Sequence, residues 1–153
     1  MNLSPHFTLA ELARTEVRDL QRANYDGACG RLGALRSLAG LLEEVRSLLG
    51  DRPIVVHSGF RCPALNQRIG GSPSSQHLRG EAADWHVVGM GLREAFDRIR
   101  CSSLRWGQLI LEDGDGDGIP TWIHLSLGAP WRAAERCQQV YEYDGREYRR
   151  LAA

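Results

Sequence analysis

The chain has 153 residues, 42% hydrophobic and 25% charged, the balance of a globular chain long enough to bury a sizeable core. Nineteen basic residues offset nineteen acidic ones, so no net charge directs it to nucleic acid or an anionic membrane surface. All the basic side chains other than histidine are arginine; no basic stripe with interleaved aromatics appears, and no stretch is apolar enough to span a bilayer. The cysteines, Cys29, Cys62, Cys101 and Cys137, show no C-x-x-C spacing and are too sparse for a disulfide framework, which points to a reducing compartment at synthesis. The first residues, MNLSPHFTLAELARTE, lack a basic segment followed by an apolar run. The expectation is therefore synthesis in the cytoplasm without a signal peptide.

In chain order, Thr8 and Glu11 have the spacing of a capping box, with Phe7 placed to staple onto Leu12. This predicts a first helix that ends before a loop at Asn24–Gly30. Leu32, Leu35, Leu38, Leu42, Val45 and Leu49 recur at helical spacing, and Gly50 and Pro53 stop the helix. Ile54 to His57 reads as a strand, Pro63 to Ile69 as a short helix, and Gly70 to Ser75 as a loop. Glu81 to Val88 reads as a strand with Ala82, Asp84 and His86 on one face and Ala83, Trp85 and Val87 on the other. Leu92, Ala95, Phe96 and Ile99 mark a further helix. Residues 107–112 and 121–127 form a predicted antiparallel hairpin, and Asp144-Gly145 predicts a two-residue turn in a terminal hairpin. The order implies one α+β domain over residues 1–153, with a mostly antiparallel sheet and helices packed on one side. Residues 1–50 would be its helical part, 54–127 its core with the functional site, and 138–150 its terminal hairpin.

The stretch from His57 to His86 concentrates the chemistry. His77 and Asp84 stand seven residues apart, with Gly80 between them to let the chain turn. An imidazole nitrogen and a carboxylate oxygen are ordinary zinc ligands, and a third from His124 would complete an open catalytic site. His86, two residues beyond Asp84, is a reserve ligand. His6 and His57 lack a ligand-spaced partner of their own and read as surface or core histidines.

The motifs S-G-F-R (58–61), P-A-L-N (63–66), G-G-S-P-S-S-Q-H-L-R-G-E-A-A-D (70–84) and W-I-H-L-S (122–126) resemble the zinc D-alanyl-D-alanine carboxypeptidase family. That family includes vancomycin-resistance dipeptidases and phage cell-wall endopeptidases, and shares its fold with the hedgehog signalling domain. F-T-L-A-E-L and L-L-E-E-V-R resemble its phage and prophage subgroup. The resemblance implies one zinc ion held by His77, Asp84 and His124. It implies that Arg61 binds a substrate carboxylate or the oxyanion, a task suited to a planar, permanently charged fork. It also implies that Ser75 and Gln76 line the cleft. The implied substrate is a peptidoglycan peptide, cut by a monomeric enzyme that a phage or lysis system delivers to the cell wall or periplasm.

The family also places a proton-shuttling group near its last zinc histidine, as E-x-x-H or H-x-H. Here Thr121 and Trp122 occupy those positions and neither can serve. Glu112, at the end of an apolar strand where partial burial raises a carboxyl pKa, is the first choice of base. Asp113, Asp115 and Asp117 are the alternatives. These three aspartates also match the first half of a calcium loop, D-x-D-x-D-G, although the twelfth position is His124, and a solvated hairpin tip is the plainer reading. The departure from the family pattern leaves a second functional reading, a noncatalytic zinc-stabilised module of a phage or prophage particle.

Overall fold

A computed structural model of the chain describes residues 1–128 and 138–152. Cys137 lies outside the described residues, and no disulfide joins Cys29, Cys62 and Cys101 to one another. Thr8 opens helix α1 (Leu9–Leu12) as expected: its hydroxyl accepts from Glu11 N–H, and the Glu11 carboxylate accepts from Thr8 N–H, completing the capping box. Phe7 and Leu12 are both buried in the core. The helix is only one turn long, however, and the expected loop at Asn24–Gly30 is helical. After a 3-10 turn at Arg18–Leu20, helix α2 runs over Gln21–Cys29.

The reason is tertiary. Asn24 is 0% exposed. Its Nδ2 donates to the carbonyls of Ala13 (2.9 Å) and Phe60 (3.0 Å), and its Oδ1 accepts from Cys62 N–H (2.7 Å). Three buried bonds outweigh the weak helix propensity of Asn and Gly, about 1 kcal/mol or less per residue.

Helix α3 (Leu32–Leu48) buries Leu35, Leu38, Leu42 and Val45 on the predicted face. It ends in a Schellman motif: Gly50 takes φ 78°, its N–H donates to Ser47 O (3.1 Å), and Asp51 N–H donates to Arg46 O (2.9 Å). The short helix α4 (Pro63–Arg68) starts with Pro63 in its first turn, and α5 (Leu92–Arg100) buries Ala95, Phe96 and Ile99.

Six strands form one sheet: β1 (Ile54–Ser58), β2 (Ala82–Val87), β3 (Gln108–Glu112), β4 (Trp122–Ser126), β5 (Gln139–Tyr143) and β6 (Tyr148–Leu151). Their order is β1-β2-β4-β3-β5-β6, and every neighbouring pair is antiparallel except β3 and β5, which run parallel. The fold is thus α+β with a mostly antiparallel sheet. The terminal hairpin turns one residue later than predicted. Tyr143 pairs with Tyr148, which centres the turn on Gly145-Arg146. Asp144 opens it instead, with Oδ1 accepting from the N–H groups of Arg146 (3.0 Å) and Glu147 (2.9 Å), and Gly145 takes φ 85°.

The sheet's two faces have opposite characters, as period-2 alternation requires. Val56, Ala83, Trp85, Val87, Leu109, Leu111, Ile123, Leu125 and Val140 join one continuous apolar cluster with the buried residues of α3 and α5. Helix α5 packs on β2, β3 and β4, and α3 packs on α5. Asp84, His86, Ile110, Glu112, Trp122 and His124 alternate with that set and belong to the other face. No helix among the described residues is long and apolar enough to cross a membrane.

Asn24 gives the fold its sharpest test. Asn24→Ala removes all three bonds and leaves buried backbone groups of Phe60, Cys62 and Ala13 without these partners. Each such group costs about 1–3 kcal/mol, so equilibrium urea unfolding is expected to show a loss of about 3 kcal/mol. A loss below about 1 kcal/mol would mean that α2 is held by something else.

Candidate active site

The open face of the sheet is roofed on one side by the segment 70–79, and between them lies a cleft of about 1250 Å³ lined by His77, Asp84, His124, Arg61, Glu112 and Tyr148 among others. Two strands and one turn bring its centre together. His77 comes from a 3-10 turn (Gln76–Arg79) whose N-terminus is capped by Ser75 Oγ, which accepts from His77 N–H. Gly80 ends that turn at φ 71°, in the left-handed region a glycine adopts without strain, and directs the chain into β2. Asp84 then lies directly across from His124 on β4.

The three side chains are nearly buried, at 2% (His77), 7% (Asp84) and 8% (His124) exposure. His124 Nδ1 is 2.9 Å from Asp84 Oδ1, His77 Nε2 is 3.3 Å from the same oxygen, and the two ring nitrogens are 3.3 Å apart. Among the described residues this is the group of His, Cys, Asp and Glu side chains whose ligand atoms converge closely enough to hold a metal ion.

The surrounding bonds fix which nitrogens are offered. His77 Nδ1–H donates to Gly59 O at 2.6 Å, which leaves the Nε2 lone pair facing the cluster. His124 Nε2–H donates to Gln76 Oε1 at 3.4 Å, which leaves Nδ1 facing it. Burial holds the His77 pKa below its usual value despite the adjacent carboxylate, the direction that favours the neutral ring a metal ligand must be. Burial pushes the Asp84 carboxyl upward, but in the metal-free cluster a proton shared with His77 and His124 more than offsets it and holds the group well below the usual range. Two imidazoles and one carboxylate, nearly closed to solvent, fit zinc by donor type and number.

The other candidate residues take defined places around this cluster. Arg61 reaches the centre, but its fork is engaged: Nη2 donates to Asp84 Oδ2 (2.6 Å) and Nε to Ser58 Oγ (2.9 Å). It holds the carboxylate's outer oxygen while Oδ1 faces the histidines. Gln76 bonds His124, and Ser75 caps the turn, so both support the cluster as well as lining the cleft. The reserve ligand His86 is directed away: its Nδ1 lies 2.8 Å from His57 Nε2, the two rings stack, and His86 is outside the convergent group. Asp113 is not a loop-tip side chain in solvent. It is 6% exposed, with Oδ1 accepting from Gly116 N–H and Oδ2 from Gly118 N–H, while Asp117 Oδ1 accepts from Ile119 N–H. Asp113 and Asp117 thus brace their own loop while Asp115 stands exposed at its tip, and no convergent group among the described residues includes any of the three.

Glu112 is on the cleft face. It pairs with Trp122, two residues before His124, while Ile110 pairs with His124 itself. Partial burial, reinforced by the charge of Asp84, raises its pKa from 4.5 to about 7. The carboxyl can therefore hold or release a proton at neutral pH.

Two supports are not among the candidate site residues read from the sequence, although Asn66 lies within the P-A-L-N motif. Asn24 fixes the backbone on both sides of Arg61 through Phe60 and Cys62. Asn66, the last residue of P-A-L-N, donates from Nδ2 to the carbonyls of Gly71 (3.1 Å) and Ser72 (3.0 Å), and so ties down the loop roofing the cleft. Gly71 packs so closely on it that a Cβ there would lie 2.3 Å from Asn66 Oδ1.

Comparison with known proteins agrees with this geometry. The chain is 36% identical over 72 residues, 43% of its own length, to the zinc D-Ala-D-Ala carboxypeptidase of Streptomyces albus G; the match spans 28% of that protein. The family model for Peptidase M15 matches residues 5–115, which carry His77, Asp84, Arg61 and Glu112. With most of the chain matched by that model, the protein belongs to the Peptidase M15 family.

Proposed function

We propose that this chain is a zinc-dependent peptidase that cleaves peptide bonds in peptidoglycan stem peptides, as a D-Ala-D-Ala carboxypeptidase or a cell-wall endopeptidase. The observation that carries the reading is the pairing of a buried His77–Asp84–His124 cluster with a carboxyl of raised pKa, Glu112, on the same sheet face. The named activity of the Streptomyces relative supports the substrate class. Action at the cell wall follows from that substrate, with delivery by a phage or lysis system as the proposed route.

His77 Nε2, Asp84 Oδ1 and His124 Nδ1 would hold the zinc ion, which when bound supplies a Lewis acid for the scissile carbonyl and acidifies water. Glu112 takes a proton from the attacking water and returns it to the nitrogen of the departing amine. A base poised near neutral pH suits both transfers, because it must accept a proton and then give it up. Arg61 keeps Asp84 ionised and fixed, and its remaining N–H groups are donors to a substrate carboxylate or carbonyl. The noncatalytic alternative rests on the absence of the E-x-x-H and H-x-H patterns. A carboxyl of raised pKa on the neighbouring strand supports the catalytic reading without either pattern.

His77→Ala, Asp84→Ala and His124→Ala are each expected to lose the single zinc equivalent, measured by elemental analysis of dialysed protein, and to leave muropeptides intact by mass spectrometry. Glu112→Gln is expected to keep zinc at wild-type stoichiometry and to lower kcat by about 100-fold or more. Native-rate digestion by Glu112→Gln would sink the base assignment.

The raised pKa also makes a stability prediction for the chelated, metal-free protein. A carboxyl that ionises near pH 7 when folded and near 4.5 when unfolded favours the folded state below pH 4.5, and that advantage is lost as pH rises through about 7. A shift of this size corresponds to about 3 kcal/mol. Metal-free Glu112→Gln is therefore expected to melt higher than wild type at pH 8 and to show no such gain at pH 4. Equal melting temperatures at pH 8 would mean that Glu112 is well solvated.

A further inference from the structure

The cleft has a second wall whose chemistry the reaction above does not use. Across the sheet, Trp122 on β4 pairs with Glu112 on β3, Glu112 with Tyr143 on β5, and Tyr143 with Tyr148 on β6. Directly opposed residues point to the same face, so one transverse row carries the proposed base at one place and two tyrosines beyond it. The row beside it runs Asp84, His124, Ile110, Tyr141, Arg150. The terminal hairpin therefore extends the floor on which the metal cluster stands.

Tyr148 is the unusual member of this wall. It is 58% exposed, high for a large side chain, and it lines the cleft together with Glu112 and His124. Its ring is not loose: it lies on Tyr143 with centroids 4.5 Å apart and meets Tyr141 edge-on at 6.4 Å. Such contacts hold an aromatic ring in one orientation. Its hydroxyl has no side-chain or backbone partner among the described residues. Two strand spacings separate its backbone from that of Glu112, about 10 Å, and a tyrosine side chain covers more than half of that. Partial burial, then the charge of Glu112, with Tyr143 and Asp84 behind it, push the phenol pKa up, so the group stays a protonated donor at neutral pH.

The two arginines lining the cleft are both partly engaged. Arg61 spends Nη2 and Nε on Asp84 and Ser58, and Arg79, the other cleft cation among the described residues, is bound to Glu81 and to Ser74 O. A peptide lying over Glu112 presents carbonyl oxygens that need donors on the side away from Arg61. We propose that Tyr148 is a further catalytic residue of this site: its phenol O–H donates to a carbonyl oxygen of the bound peptide at or next to the bond being cut. The inference rests on the peptidase reading given above.

Tyr148→Phe keeps the ring and removes only the donor, and its folding and zinc content are expected to match wild type. With zinc-loaded protein and the muropeptide that wild type cleaves, kcat/KM of Tyr148→Phe is expected to fall at least fivefold. Tyr148→Ala, which also removes the stacked ring, is expected to fall further and to raise KM. A kcat/KM for Tyr148→Phe less than fivefold below an active wild type would overturn this inference and leave the peptidase reading standing. A zinc-loaded wild type that cleaves no stem peptide would overturn both.

Discussion

The pairing of β2 with β4 is the constraint on which the site depends. Asp84 opposes His124 because Ala83 opposes Leu125 and Trp85 opposes Ile123, and those four residues are wholly buried against the helices. Side chains alternate with a strict period of two, so a slip of one residue would expose Trp85 and Ile123 and carry Asp84 and His124 into the apolar core. The hydrophobic effect on one face thus sets the geometry on the other. The same logic extends to β3, where Leu109 and Leu111 face the core and Ile110 and Glu112 face the cleft. No residue in the cleft has to enforce the spacing.

What the cleft residues must do is make that arrangement tolerable electrostatically. An ionised carboxylate that is almost fully buried would be costly alone. Asp84 has the Arg61 guanidinium on Oδ2, which balances its charge, while Oδ1 stands with the two imidazole nitrogens as a donor set for a cation. Glu112 has no such partner close by, and it responds by holding its proton to higher pH. Two carboxyls on one face therefore behave oppositely because of their neighbours. That separation is what acid–base chemistry at neutral pH requires.

Much of this was legible in the sequence where local pattern and tertiary need coincide. The leucine spacing of α3, the alternation of β2, the capping box at Thr8 and the cluster of His77, Asp84 and His124 all read directly. The failures lie where distant partners decide. Residues 24–30 look like a loop because Asn and Gly are weak helix formers, and only the carbonyls of Ala13 and Phe60 explain why Asn24 is helical and buried. Asp144-Gly145 has the composition of a two-residue turn, but the side chain of Asp144 captures two following amides and moves the turn on by one. The parallel docking of β5 on β3, which brings Tyr141 and Tyr148 to the cleft, is a contact between separate hairpins and leaves no periodic trace. Nor could spacing alone show that Arg61 would be engaged by Asp84, or that His86 would turn to His57.

One contact path joins the amino terminus to the metal cluster. Leu12 O accepts from Phe60 N–H at 2.7 Å, and Gly59 lies so close that a Cβ on it would be 2.4 Å from the same oxygen. Gly59 O in turn accepts from His77 Nδ1, the bond that sets which nitrogen of His77 faces the cluster. The capped turn at residues 9–12 is therefore a buttress for a ligand far along the chain. Occupancy of the centre and local unfolding of this turn are linked equilibria: whatever loosens the first helix weakens the hold on the ion, and an ion bound there slows amide exchange at the amino-terminal end of the protein.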